Sequence, residues 1–400
     1  YNAKVSADEL QAAAGRYREK DRCSIQAIPY GFGDGGGGPT PDMLERIRRY
    51  RNMEGSPKTV PMSARDFFKK LEGESQSLPR WVGELYLELH RGTYTTQAQN
   101  KMFNRTSEMA LRQAEFLSAF GLQEGFRYPQ ARLNNAWKTV LLNQFHDIIP
   151  GSSIGKVYEE SWAQYRQVLA DAGDMRATAL SGLSARIDTR GAGIPVVAVN
   201  TLSWNRRDVV TIGGGRLKKG IGYVAKSPEG RLAPVQVGHD GKARFVGELP
   251  SVGYSVFHVA EGDVPKAGVC STTRLMENAL LRISFDARGR IRRVFDKENH
   301  RDVLTAGAVG NQFVLTEDKP TRWDAWDVDV FHFDKILEKD GQLLSIRVLE
   351  QGPVRGVVRI KRRLSVSTIT QDVILTAGSR RVDFETTVEW GAEDHVFLKV

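Results

Sequence analysis

The sequence predicts a multidomain α + β chain. It reads as the tail of an α/β domain over residues 1–80, a three-helix bundle over 81–190 and an all-β sandwich assembly over 191–400. Three observations carry this. Near the start, a strand-like run, a glycine loop and a capped helix follow one another, which is the order of an α/β unit. Three long stretches with helical spacing and short links fill the middle. After residue 190 the chain turns to short apolar runs punctuated by Gly, Pro, Asn and Asp. The 400 residues also exceed one ordinary core, since a domain usually takes about 150.

Taken in order, residues 8–17 are Ala-rich and predict a helix. Residues 24–30 read as a short strand whose end Pro29 limits. Residues 31–40 form a glycine loop. Thr40 then serves as N-cap and Pro41 as first helical residue of a helix over 41–51. Ser63 caps a further helix over 64–72. Over 95–120, Met102, Met109, Phe116 and Phe120 recur near helical spacing and predict an amphipathic helix. Residues 132–145 and 157–187 predict two more. Strands are expected at 194–199, 209–212, 235–237, 254–259, 280–285, 313–315, 343–349, 354–361 and 382–388.

Composition narrows the function classes. Hydrophobic residues make up 40% and charged residues 26%, as in globular proteins. No run approaches the roughly 18 apolar residues of a membrane helix. Cys23 and Cys270 lie too far apart in sequence for a Cys-rich zinc module or a disulfide scaffold. The net charge of +9 is spread evenly: residues 1–200 hold 26 basic and 22 acidic side chains, and residues 201–400 hold 31 and 26. A nucleic-acid binder concentrates its excess in a patch or stripe, so no nucleic-acid partner is expected. The chain begins at Tyr1 and ends at Val400 inside a strand-like run. We therefore expect a piece of a longer protein, with any targeting signal outside it.

Four stretches carry chemistry. The first, Gly31-Phe32-Gly33-Asp34-Gly35-Gly36-Gly37-Gly38-Pro39-Thr40, lacks the Lys of a phosphate loop. It places one carboxylate, Asp34, among six glycines, where a ligand can approach the backbone closely. It reads as a placed site rather than a slack connector. The second, Gly83-Glu84-Leu85-Tyr86-Leu87-Glu88-Leu89-His90-Arg91-Gly92-Thr93-Tyr94-Thr95-Thr96, sets Glu84 and Glu88 among apolar residues. A carboxyl so surrounded has a raised pKa and can act as a general acid. Spacing alone favours an amphipathic stretch with exposed glutamates.

The third is Asn143-Gln144-Phe145-His146-Asp147-Ile148-Ile149-Pro150-Gly151-Ser152-Ser153. His146 beside Asp147 at a helix end suits a metal ligand next to a hydroxyl-binding carboxylate. Composition alone favours a satisfied core or capping histidine. The fourth, Trp323-Asp324-Ala325-Trp326-Asp327-Val328-Asp329, combines rings that stack on sugars with carboxylates that bind hydroxyls. A strand edge with inward tryptophans explains it equally well. His332 and Asp334, two apart, read as a surface pair in a strand.

Together these stretches resemble one family, the glycoside hydrolase family 38 α-mannosidases, in the class of the cytosolic neutral enzymes and their bacterial relatives. Val199-Asn200-Thr201-Leu202-Ser203-Trp204 and Gly310-Asn311-Gln312-Phe313-Val314-Leu315 extend the resemblance along nearly the whole chain. It implies an N-terminal α/β barrel-like catalytic domain, a helical bundle and C-terminal β-domains. It implies release of terminal α-linked mannose from oligosaccharides with retention, using one divalent metal, zinc before cobalt. His146 matches a metal ligand, Asp147 a substrate-hydroxyl contact, and Glu84 the acid/base, with Glu88 as rival. Asp34 falls where the family lines the sugar pocket, and Trp323, Asp324 and Asp327 fall in a further sugar-contact stretch. The remaining metal ligands and the nucleophile Asp belong upstream of residue 1. Asp34 and His146 are expected on one pocket. A cytoplasmic location is expected, homo-oligomer formation is left open, and the rival function is sugar binding or scaffolding without catalysis.

Glu84 and Glu88 are separated further by their neighbours. The glycine before Glu84 admits a sugar closely, and Trp81, Leu85 and Tyr86 supply an apolar surround. Arg91 would pair with Glu88 and keep it ionised. The expectation is Glu84.

Overall fold

The structure is a computed structural model that describes residues 2–34, 36–74, 78–85, 89–122, 127–213, 215–263, 268–391 and 394–400. By internal packing the chain divides into two units, Tyr1–Leu87 and Glu88–Val400.

Among the described residues the first unit holds three helices, each started by a local signal. α1 (Ala7–Arg16) begins with a capping box, in which Ser6 Oγ accepts from the Glu9 N–H and Glu9 reaches back to the Ser6 N–H. α2 (Pro41–Tyr50) has Thr40 as N-cap, accepting from the Met43 N–H at 3.4 Å. α3 (Ala64–Glu74) starts where Ser63 Oγ accepts from the Asp66 N–H at 3.2 Å. Val5, Leu10, Met43 and Ile47 form a small core with Ile28, Tyr30 and Tyr50. The strand expected at 24–30 is not formed. Only Tyr30 pairs, in a single parallel bridge to Ala3. A strand needs a ladder of partners, and Pro29 offers no N–H to extend one.

The second unit opens with a 3₁₀ turn, Arg91–Tyr94, and continues through α4 (Ala98–Leu122), α5 (Gln130–Asn143) and α6 (Gly155–Ser184). These three helices pack around Phe103, Leu111, Ala114, Leu133, Ala136, Val140, Tyr165, Val168, Ala172 and Met175. The buried face of α4 is not the stripe expected from its sequence. Met102 and Phe120 are exposed, and Met109 and Phe116 are half-buried. Asn100, Phe103, Ser107, Leu111, Ala114 and Leu117 point inward instead. Phe103 and Leu111 share this face with the small or polar Asn100, Ser107 and Ala114, so apolar size alone does not mark the core.

Six antiparallel strands follow: β1 (Ile194–Asn200), β2 (Arg206–Ile212), β3 (Tyr223–Lys226), β4 (Leu232–Val237), β5 (Ala243–Leu249) and β6 (Gly253–Glu261), in the order β1-β6-β3-β4-β5-β2. Their alternate residues Tyr223, Ala225, Phe245, Phe257 and Val259 make one core. A second sheet runs β11-β10-β9-β8-β7, from β7 (Cys270–Ser271), β8 (Leu275–Glu277), β9 (Leu281–Phe285), β10 (Ile291–Asp296) and β11 (Arg301–Asp302). It faces a four-stranded sheet of β14 (Gln342–Glu350), β15 (Arg355–Leu364), β16 (Ser367–Thr376) and β17 (Val382–Glu389). Met276, Ile283 and Phe285 of the one meet Val358, Ile360, Val373 and Leu375 of the other, which makes a sandwich. β12 (Val314–Glu317) pairs on either side with β13 (Ile336–Lys339) and β18 (Val396–Lys399). Sequence reading missed β3, β5, β7, β8, β10, β11, β13 and β16: polar residues interrupt the apolar run in β5, β10 and β16, and the others are short.

His332 and Asp334 do not lie in a strand. His332 closes a 3₁₀ turn, Val330–Phe333, and its Nδ1–H donates to the Asp329 carbonyl at 2.8 Å. Among the described residues no helix is long and apolar enough to cross a membrane.

Candidate active site

α5 ends in an amide cluster that carries the histidine loop. Asn143 Nδ2 donates to Gln164 Oε1 of α6 at 2.7 Å. Gln144 Nε2 donates to Asn104 Oδ1 and Glu108 Oε1 of α4 at 3.0 and 2.9 Å. The chain then turns outward, and His146 presents an imidazole that is 74% exposed, with Nε2 3.4 Å from Asp147 Oδ2. The Phe145 ring lies against it, centroids 4.4 Å apart. Behind the pair the loop is fastened. Asp147 Oδ1 accepts from Ser152 Oγ at 3.3 Å, and its carbonyl accepts from Ser153 Oγ at 2.6 Å and from the buried Tyr158 hydroxyl at 3.3 Å. The sequence thus supplies an open imidazole and carboxylate on a firmly held support, the arrangement a ligand-binding pair requires.

One residue that sequence reading passed over holds this loop from below. Lys101, in the first turn of α4, donates from Nζ to the carbonyls of Thr96, Ile149 and Pro150 at 2.6, 2.8 and 3.2 Å. Burial pushes its ammonium pKa down. The signal in the sequence was a lysine on the inward side of a helix, beside the buried Asn100 and Phe103.

The 3₁₀ turn joins the histidine loop to the tryptophan stretch. His90 takes a left-handed backbone, and its N–H donates to Asp327 Oδ1 at 2.6 Å, with Nδ1 3.5 Å from the same oxygen. The His90 and Trp326 rings lie 4.7 Å apart. The Thr93 N–H donates to the Trp326 carbonyl at 3.2 Å. A Cβ at Gly92 would come within 2.9 Å of that carbonyl oxygen, so the turn needs glycine there. Two sequence motifs more than 200 residues apart are thereby one assembly. The stretch 323–329 is an irregular turn, not a strand edge. Trp323 and Asp324 are exposed, whereas Asp327 is half-buried and tied to His90.

In the first unit, Asp34 sits at the tip of the glycine loop. Its Oδ2 accepts from Asn2 Nδ2 at 3.2 Å, and Asn2 Oδ1 accepts from the Gly33 and Asp34 N–H groups. The Gly37 N–H closes the loop on the Phe32 carbonyl at 2.8 Å. Gly31, at φ +115°, has Gly38 and Pro39 packed where a Cβ would stand. The loop is therefore placed. Glu84 is exposed, and Trp81 Nε1 donates to its carbonyl at 3.1 Å. Among the described residues the apolar surround expected for its carboxyl is not formed. Trp81 and Leu85 are 70% and 83% exposed, because nothing within the described residues packs over them. Tyr86 and the rival Glu88 lie outside the described residues.

An exposed imidazole beside a carboxylate has the donor chemistry of a zinc or cobalt ligand. Zinc takes four ligands. Among the described residues no three His, Cys, Asp or Glu side chains converge to hold a metal. The described residues therefore offer such a metal one imidazole and one carboxylate, those of His146 and Asp147.

The order of these features along the chain matches one family throughout. Residues 1–84 match the Glycosyl hydrolases family 38 N-terminal domain, 88–183 the Alpha mannosidase middle domain, and 276–400 the Glycosyl hydrolases family 38 C-terminal domain. The chain belongs to glycosyl hydrolase family 38. Among relatives, Alpha-mannosidase 2C1 of Homo sapiens is 36% identical over all of this chain and 37% of its own length. Alpha-mannosidase G of Dictyostelium discoideum is 31% identical, over all of this chain and 40% of its own length. This family 38 chain thus spans well under half the length of these relatives. The crystal structure of an alpha-mannosidase from Enterococcus faecalis shares the fold, with a TM-score of 0.63 at 18% identity, over 90% of this chain and 50% of that one.

Proposed function

We propose that this chain serves a retaining exo-α-mannosidase, located in the cytoplasm, that removes terminal α-linked mannose from oligosaccharides with one divalent metal, zinc before cobalt. The observation that carries the reading is the outward His146–Asp147 pair on its fastened loop, in a family 38 chain whose relatives are named alpha-mannosidases. His146 is the metal donor of this chain. Asp147 accepts a mannose hydroxyl, and Asp34 lines the sugar pocket. Trp323 and Asp324, both exposed, suit contacts to outer sugars. Asp327 spends one oxygen on His90, so its part is to hold the turn.

On this reading the metal, when bound, orients mannose hydroxyls. Glu84 protonates the leaving oxygen and later takes a proton from water, the two-carboxylate scheme of a retaining glycosidase. The nucleophilic carboxylate comes from outside the present residues.

The test uses the complete protein with an oligomannoside and with an aryl α-mannoside, whose good leaving group needs little protonation. Glu84→Gln should lower oligomannoside cleavage about a thousandfold and spare the aryl substrate. Equal loss on both moves the acid to Glu88 or outside this stretch. His146→Ala should release the bound metal, measured by elemental analysis. A wild-type protein that binds mannosides without cleaving either substrate overturns the enzyme reading in favour of sugar binding.

A further inference from the structure

Lys101 touches no expected substrate position, yet it joins two segments of the candidate site. Thr96 lies just beyond the 3₁₀ turn, and Ile149 and Pro150 lie within the histidine loop. One ammonium gathers a carbonyl from the first and two from the second. Among the described residues no carboxylate lies within ion-pair distance of it, so its charge is answered by backbone dipoles. A charged donor to a carbonyl makes a stronger bond than a neutral one. Three such bonds on a half-buried cation fix both segments in one geometry.

The neighbouring contacts point the same way. Gly151 follows Pro150 at φ +97°, packed against the Thr96 carbonyl so closely that no Cβ fits. Asn100 Nδ2 reaches the Ile148 carbonyl at 3.4 Å, and its own oxygen accepts from Ser161 Oγ at 2.6 Å. At the far end, Thr96 Oγ1 donates to the Gly92 carbonyl at 2.7 Å, and Gly92 lies under Trp326. The contacts form one unbroken relay from Asp327 and Trp326, through the turn 90–96, across Lys101, to the loop that presents His146 and Asp147.

We propose that Lys101 is a positioning residue for the site: it holds the His146–Asp147 loop on the 90–96 turn, and so couples that loop to the tryptophan stretch of the β region. Its effect on turnover rests on the mannosidase reading above; its hold on the loop does not. The distance a catalytic or binding group is allowed to drift is small, since about 1 Å of misplacement can cost about a hundredfold in rate.

The test compares Lys101→Met, which keeps the stem and removes the ammonium, with Lys101→Arg, which keeps charged donors, in the complete protein. For Lys101→Met, amide hydrogen exchange over residues 145–153 should quicken about tenfold or more, while α5 and α6 keep their protection. The value of kcat/KM on an aryl α-mannoside should fall about tenfold to a hundredfold, and metal affinity should weaken about tenfold. Lys101→Arg should restore all three to within about threefold. If Lys101→Met folds poorly, Lys101→Gln, whose shorter side chain ends in an uncharged amide, gives the comparison without the ammonium. Unchanged exchange over 145–153 overturns the hold on the loop. Faster exchange with wild-type kcat/KM and metal affinity overturns the positioning role. If the wild-type protein cleaves no mannoside, the function reading fails, and exchange with metal affinity decides the role of Lys101.

Discussion

At Gly151 the backbone takes φ +97°, where a side chain is strained, and a Cβ would run into the Thr96 carbonyl. Gly155, four residues on at the start of α6, has nothing within 4 Å of the same position. The two glycines therefore separate a close approach from mere composition. Gly151→Ala should destabilise by about 2–4 kcal/mol, from strain plus overpacking. Gly155→Ala should be neutral or gain about 0.5 kcal/mol. Denaturant unfolding of both variants checks this, and equal effects would remove the loop's dependence on Gly151. At the same scale, Asp327 looks like a sugar-binding carboxylate in the sequence, but its place is set by the His90 N–H.

The helix α4 shows how an element chooses its face. Its obvious apolar residues, Met102 and Phe120, face outward, while the fully buried Leu111 and Ala114 share the inner stripe with Asn100 and Ser107. Ser161 and Tyr165 of α6 meet this stripe, bonding Asn100 and Asn104 at 2.6 and 3.2 Å. A buried amide needs such a partner, and so the polar residues fix the rotation of α4 against α6. Leu111→Ala should cost about 2–5 kcal/mol, and Met102→Ala less than about 0.5. Comparable losses in thermal or denaturant unfolding would mean that α4 is rotated from the face described.

At the scale of the molecule, the six-stranded sheet and the sandwich are joined by one buried carboxylate. Glu350, at the end of β14, accepts two bonds from Arg355 at 2.8 and 2.7 Å. From the β4–β5 side it accepts the His239 N–H at 3.0 Å and Gln236 Nε2 at 3.1 Å, with His239 Nδ1 at 2.6 Å. Burial alone would raise its pKa, but Arg355 and His239 hold it down to about 2. An unfolded Glu titrates at about 4.3. The group therefore adds stability that is whole above about pH 4.3 and is lost as pH falls toward 2. The expected contribution is about 2–3 kcal/mol. Unfolding free energy measured from pH 5 to 2 should carry this fall in the wild type and lose it in Glu350→Gln. That variant should also cost about 3–5 kcal/mol near neutral pH, because Arg355 is left without its partner. The same fall in both proteins would place the acid sensitivity elsewhere.

What the sequence determined by itself was local or ordinal. Ser6 with Glu9, Thr40 with Met43, and Ser63 with Asp66 start helices by contacts three residues apart, which need no other part of the chain. The helical middle, the β character after residue 190 and the order of the four chemical stretches were likewise legible, because periodicity and turn residues act within a few positions. The tertiary structure decided which of those residues act together. It placed His332 in a 3₁₀ turn, turned α4 onto Leu111, left Glu84 exposed, and brought Asp327 to His90 and Lys101 to Pro150. The rotation of α4 and the Asp327 and Lys101 contacts depend on partners tens to hundreds of residues away, and such a contact exists only once the chain between has closed and paid its ordering entropy.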